Sequence, residues 1–234
     1  MNLKELHTEI KKHASKSHAD SLGTWYTVGQ ERYHMGVSTP LLRKIARKYY
    51  SEIRKLDVDE ILNYSNSIVG KKCDEYRIIA FQWAEQSRKR IEPRHFELFE
   101  KWLRTYVKNW ATCDDLCCHS LGFIFLDYPE LVLKTKKWRT DKNWCVRRAS
   151  AVALIPSLRR GKQLDQAIQV SLILMDAPED LVQKAYGWML KEATKKFPQE
   201  VYEFVMKHKK QMSRTALRYA IEKLPKEMKK KAMS

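Results

Sequence analysis

Five of the seven prolines, Pro40, Pro93, Pro129, Pro178 and Pro198, each stand at the head of a run whose apolar residues recur at helical spacing. Proline has no N–H to leave unpaired, and its fixed φ suits a first helical turn. The seven glycines are equally sparse, and none falls inside a convincing alternation of apolar and polar residues. No two-residue hairpin signal joins two alternating segments. A chain punctuated in this way folds as helices joined by short turns, so the fold class is all-α.

The spacing predicts helices in sequence from Leu3 to His18, a short one holding Trp25 and Tyr26, and one from Leu41 to Tyr50 after the Gly36-Val37-Ser38-Thr39-Pro40 loop. Asp57 to Tyr64 and Lys71 to Gln86 follow, then Pro93 to Lys108 and a helix around Trp110. Further on come Pro129 to Trp138, Lys142 to Ile155 capped by Asp141, Leu164 to Met175, Pro178 to Lys195, Pro198 to His208 and Ser213 to Lys223. Trp83 and Trp102 sit on apolar stripes and are core residues. On the order of a dozen helices in series points to an α-solenoid of HEAT-like repeats. One domain is expected over 1–225, with a basic tail at 226–234 that frays.

Charge narrows the partner. Lys and Arg number 45 against 28 Asp and Glu, a net charge of +17 in 234 residues. A solenoid with a concave basic face suits a polyanion, and a nucleic-acid duplex above all. No apolar run reaches the roughly 18 residues of a membrane span. The charged, amphipathic N-terminus lacks a signal-peptide core, so a cytoplasmic protein, nucleoid-associated if prokaryotic, is expected, without membrane attachment and as a monomer. Five cysteines, an odd number, fit reduced thiols. Cys113, Cys117, Cys118 and His119 lack the spacing of a zinc site, and neither metal nor cofactor is expected.

The stretch Lys108-Asn109-Trp110-Ala111-Thr112-Cys113-Asp114-Asp115 stands out, because it sets a Trp and two carboxylates together in a basic chain. If the helix includes Trp110, then Trp110 and Asp114 share a face at i and i+4, and Asp115 points about 100° away. If Thr112 is instead the N-cap, Asp115 completes a capping box and the helix starts later. The sequence leaves both open. Ser38 and Thr39 cap the following helix, or hold a phosphate on its exposed N–H groups.

Four segments in this order resemble the AlkD-type family of DNA alkylpurine glycosylases, which are built from HEAT-like repeats. They are Met35 to Ala46; Trp110 to Asp114 with Leu121 to Leu126; Trp144 to Ala149; and Gln183 to Trp188. The resemblance runs from about Met35 to Leu224. It implies a catalytic Asp114, lesion-contacting Trp110 and Trp188, and an active-site Arg147; a one-residue shift would exchange Arg147 for Arg148. Arg148, Lys191, Ser38, Thr39 and one of Trp25 and Tyr26 are further candidate DNA contacts. Ala111, Cys113, Cys117, Cys118 and His119 depart from the family pattern around the catalytic Asp, and Asp115 adds a second acid.

What the resemblance implies is hydrolysis of the N-glycosidic bond of cationic alkylpurines, 3-methyladenine and 7-methylguanine, in double-stranded DNA. It further implies base excision without base flipping. The rival reading is a non-catalytic HEAT-like protein that binds branched or damaged DNA, which would need the basic surface but not Asp114.

Overall fold

The computed structural model describes residues 1–23 and 33–234. The expected helix holding Trp25 and Tyr26 lies outside the described residues. Among those described there is no strand, and the chain forms two compact units, Met1–Ser120 and Leu121–Ser234.

The first unit contains α1 (Leu3–Lys12), α2 (Lys16–Gly23), α3 (Thr39–Ile53), α4 (Val58–Val69), α5 (Asp74–Gln86), α6 (Phe96–Tyr106) and α7 (Trp110–Asp115). Helix α1 packs on α3, α3 on α5 and α5 on α7, while α4 lies against α5. These helices rest on neighbours close in sequence, as in a helical-repeat array. Helix α5 is the centre of this unit and is buried nearly all round. Its Trp83 is fully buried, with the indole N–H donating to the Ala46 carbonyl at 2.9 Å. Trp102 is also fully buried; it lies 5.4 Å from the Phe99 ring and donates to Asn66 Oδ1 at 3.0 Å. Both tryptophans are core residues, as their stripes predict.

The second unit contains α8 (Gly122–Asp127), α9 (Trp144–Val152), α10 (Ile155–Leu158), α11 (Leu164–Leu174), α12 (Asp180–Ala193), α13 (Pro198–His208), α14 (Arg214–Ala220) and α15 (Lys226–Met233). Its spine is α9 against α12 and α12 against α14. The last of these contacts is close because position 187 is glycine: a Cβ there would stand 2.8 Å from the Ala216 carbonyl oxygen.

Several boundaries differ from expectation. The first helix breaks after Lys12, where the Ser15 N–H leaves helical pairing to donate to the Met35 carbonyl at 2.9 Å. Pro129–Thr140 is wound as a 3-10 helix. Asp141 does not cap α9; its carboxylate accepts from the Asn143 N–H at 2.9 Å, and Asn143 accepts from Cys145 N–H at 2.9 Å as the N-cap. Residues 226–234, expected to fray, carry α15, which packs on α13 and buries Ala232.

Candidate functional site

Helix α7 begins at Trp110 because Asn109 is its N-cap. Asn109 has extended backbone angles, φ −147° and ψ 166°. Its Oδ1 accepts from the Thr112 N–H at 2.9 Å and from the Thr112 hydroxyl at 3.0 Å. Thr112 is thus a buried residue inside the first turn, and the early helix start is the one the protein adopts. Trp110 and Asp114 then lie one turn apart on a common face. Both are partly exposed.

Asp115 leads elsewhere. It forms an ion pair with Arg43 of α3, and its Oδ1 lies 3.6 Å from His119 Nε2. His119 Nδ1 in turn pairs with Glu85 Oε1 at 3.0 Å. The Asp115 side chain is 12 % exposed, and its Oδ2 is buried with no hydrogen-bond partner. Burial pushes the Asp115 carboxyl above its ordinary pKa, against the pull of Arg43 and His119. The Glu85 hydrogen bond raises His119, opposed by its burial. Beyond α7 the chain widens into a π-helix over Leu116–Leu121, a winding that recurs at functional sites. Cys113 and Cys117 are buried in this region, and all five cysteines are free thiols. Among the described residues no group of His, Cys, Asp and Glu is placed to hold a metal ion.

Ser38 and Thr39 are exposed at the N-terminus of α3, with Ser38 at the N-cap position. Ser38 is the N-cap through its carbonyl, which accepts from the Leu42 N–H at 2.9 Å, while its side chain makes no capping hydrogen bond. The loop before it is gripped from inside: Met35, Gly36 and Val37 N–H groups all donate to Glu75 Oε1, at 2.9, 2.9 and 3.2 Å. Gly36 has φ +80°, a conformation in which a side chain would be strained.

In the second unit the two candidate arginines separate by burial. Arg147 is partly exposed and donates to the Asp141 carbonyl and to Glu179. Arg148 is 5 % exposed and donates to the Leu181 carbonyl, bracing α9 against α12. Trp188 is partly exposed on α12. Lys191, one turn on, is paired with Glu222 at 3.0 Å and lies 5.2 Å from the Tyr219 ring centroid. Trp25 and Tyr26 lie outside the described residues. Sequence reasoning missed Arg43, Asp74, Glu75 and the capping role of Asn109. Of these only Asn109 carried a local signal, an Asn directly before a helical run.

An all-helical protein with serial helix packing in each unit defines the class: a HEAT-like helical-repeat protein. The model of the DNA alkylation repair enzyme family matches residues 2–224, and the chain belongs to that family. DNA is the partner, and repair of alkylated DNA the role, that membership carries. A solved structure described as a "Predicted DNA alkylation repair enzyme from Enterococcus faecalis" shares the fold. Its TM-score is 0.80 at 19 % identity, over 92 % of this chain and 98 % of that one. No curated protein matches the chain. No helix among the described residues is long and apolar enough to cross a membrane.

Proposed function

We propose that this protein is a DNA glycosylase that hydrolyses the N-glycosidic bond of N3- and N7-alkylated purines, 3-methyladenine and 7-methylguanine, in duplex DNA. The observation that supports this reading is the placement of Asp114 and Trp110 one turn apart on one partly exposed face of α7. Asp115, by contrast, is committed to Arg43 and His119.

An alkylated purine carries a positive ring charge, so it leaves as a neutral base without being protonated. The C1′–N bond breaks with its electron pair going to the base, and the deoxyribose becomes oxocarbenium-like. The Asp114 carboxylate stabilises that cation and orients the water whose oxygen bonds to C1′. The water's surplus proton passes to solvent, and an abasic site remains. Indole faces attract the cationic ring, by about 0.5–2 kcal/mol for each contact. Trp110 fills that role, and Trp188 is the second candidate. Arg147 is the candidate for a backbone phosphate, since Arg148 is the more deeply buried of the two and braces the Leu181 carbonyl; Arg147 would first have to exchange its Glu179 partner. Lys191, Ser38 and Thr39 stand as further candidate phosphate contacts; Lys191 would first have to exchange its Glu222 partner. Such a mechanism needs no pocket for a flipped base, and it acts only on bases that are already cationic. The protein would work in the cytoplasm or nucleoid, as a monomer.

The test compares Asp114→Asn with Asp115→Asn. Base release should fall by at least about 10²-fold in the first, as for loss of a transition-state charge partner, with duplex affinity kept. The second should chiefly change stability. Equal release by wild type and Asp114→Asn would remove Asp114 from the mechanism.

A further inference from the structure

Two adjacent carboxylates, Asp74 and Glu75, open α5 in the interior of the first unit, with 0 % and 2 % of their surface exposed. Burying two neighbouring acids is unfavourable unless each finds donors. Besides Arg77 and Cys73 close by in sequence, their donors come from two separate stretches of chain. Asp74 Oδ2 accepts from Asn109 Nδ2 at 2.9 Å and lies 3.2 Å from His34 Nε2, while Oδ1 pairs with Arg77. Asn109 is the residue whose Oδ1 caps α7. Glu75 Oε1 takes the three backbone N–H groups of Met35, Gly36 and Val37, and Oε2 accepts from the Cys73 thiol at 2.9 Å.

The two acids thus address the two stretches of this unit that carry candidate DNA-contacting residues. Asp74 orients the amide that starts the Trp110–Asp115 helix. An Asn side chain can flip its oxygen and nitrogen; with Nδ2 committed to a carboxylate, Oδ1 is fixed toward Thr112 and the cap cannot invert. Glu75 draws the loop before Ser38 and Thr39 down onto α5. Gly36 has to be glycine for this descent, since a Cβ there would stand 2.0 Å from the Ser15 carbonyl oxygen. An apolar pair at 74 and 75 would fill the space but would leave Asn109 Nδ2 and three backbone N–H groups without acceptors.

We propose that Asp74 and Glu75 are positioning residues for DNA repair by this protein: Asp74, through Asn109, sets the helix of Trp110 and Asp114, and Glu75 sets the loop that presents Ser38 and Thr39. The proposal rests on the functional reading above for the role of those residues, but its physical content can be read without activity. The variants are Asp74→Asn, Glu75→Gln and Asn109→Ser; serine keeps a capping oxygen and deletes only the amide that reaches Asp74.

The first readout is hydrogen exchange by mass spectrometry on segments 108–116 and 33–40. Asp74→Asn and Asn109→Ser should each speed exchange in 108–116 by about 10-fold, the scale of a weakened cap, with the second unit unchanged. Glu75→Gln should do the same in 33–40 and leave 108–116 protected. The second readout is single-turnover base release at saturating protein, against duplex Kd. Asp74→Asn and Asn109→Ser should slow release by about 10-fold with Kd held within about 2-fold, whereas Glu75→Gln should weaken Kd and spare the rate. Uniformly faster exchange across the first unit, or unchanged exchange in 108–116, would overturn the proposal and leave the acids as general stabilisers. If Asp74→Asn does not fold, Asn109→Ser decides alone. If wild type releases no base, the glycosylase reading fails by itself and the exchange patterns still decide whether the acids position these segments.

Discussion

Gly187→Ala isolates the contact on which the Trp188 helix is built. A Cβ at 187 would lie 2.8 Å from the Ala216 carbonyl oxygen, 2.9 Å from Ala216 Cα and 2.9 Å from Tyr219 Cβ. None of these atoms can rotate away: two are backbone and the third is fixed to it. Ordinary contact begins at 3.4 Å, so α14 would have to retreat from α12 by roughly 0.5 Å, and overpacking of that kind costs about 1–3 kcal/mol. Working against this, alanine favours a helix interior over glycine by about 1 kcal/mol. The net is a loss of about 1 kcal/mol, which for a chain of this size lowers Tm by about 2–4 °C. Thermal unfolding followed by far-UV circular dichroism measures it directly. A Tm raised by the same amount would mean that propensity alone decides and that the α12–α14 contact is looser than described.

Arg43→Met should destabilise the first unit by about 3 kcal/mol, because it strands the Asp115 carboxylate in its inward position. The loss should be greater at pH 8 than at pH 5: burial already raises the Asp115 pKa, and without Arg43 the group escapes its cost by protonating as pH falls. Urea midpoints at the two pH values report this, and a loss equal at both would refute the assignment. Glu192 is held by Arg159 at 2.8 Å and Lys195 at 2.6 Å. Burial alone would raise its pKa, but those hydrogen bonds and charges outweigh burial and lower it from 4.5 to about 2. A depressed carboxylate adds stability above the unfolded pKa and loses it as pH falls through the folded one. Glu192→Gln should therefore cost about 1–2 kcal/mol near neutral pH, after solvent screening of its half-exposed partners, with the cost vanishing as pH falls below about 2. Duplex affinity should fall roughly 10³-fold between 50 and 200 mM salt if about six phosphates are contacted, and a flat salt response would argue for a partner other than DNA.

The helices were legible because their signals are local: prolines at first turns, apolar residues at helical spacing, and few glycines. Pro198–His208 matches its expected bounds for this reason. Trp83 and Trp102 were legible as core because each closes a stripe on its own helix. What the sequence left open was settled by contacts distant in the chain. Whether α7 starts at Trp110 or after Thr112 depends on Asn109, whose amide is steered by Asp74, 35 residues earlier. The pairing of Asp115 with Arg43, 72 residues away, likewise has no local signal. The break after Lys12 has the same origin, since Ser15 pairs with Met35 and not with its own helix. Arg147 and Arg148 cannot be told apart by type; burial and their partners, Glu179 for the one and the Leu181 carbonyl for the other, separate them.

The most direct measurement is release of 7-methylguanine and 3-methyladenine from methylated duplex DNA by wild type and Asp114→Asn side by side. Release by wild type and its loss in the variant, with salt-sensitive duplex binding equal in both, is the predicted result. Duplex binding by wild type with neither base released would contradict it, and would leave a protein that binds damaged DNA without cutting the glycosidic bond.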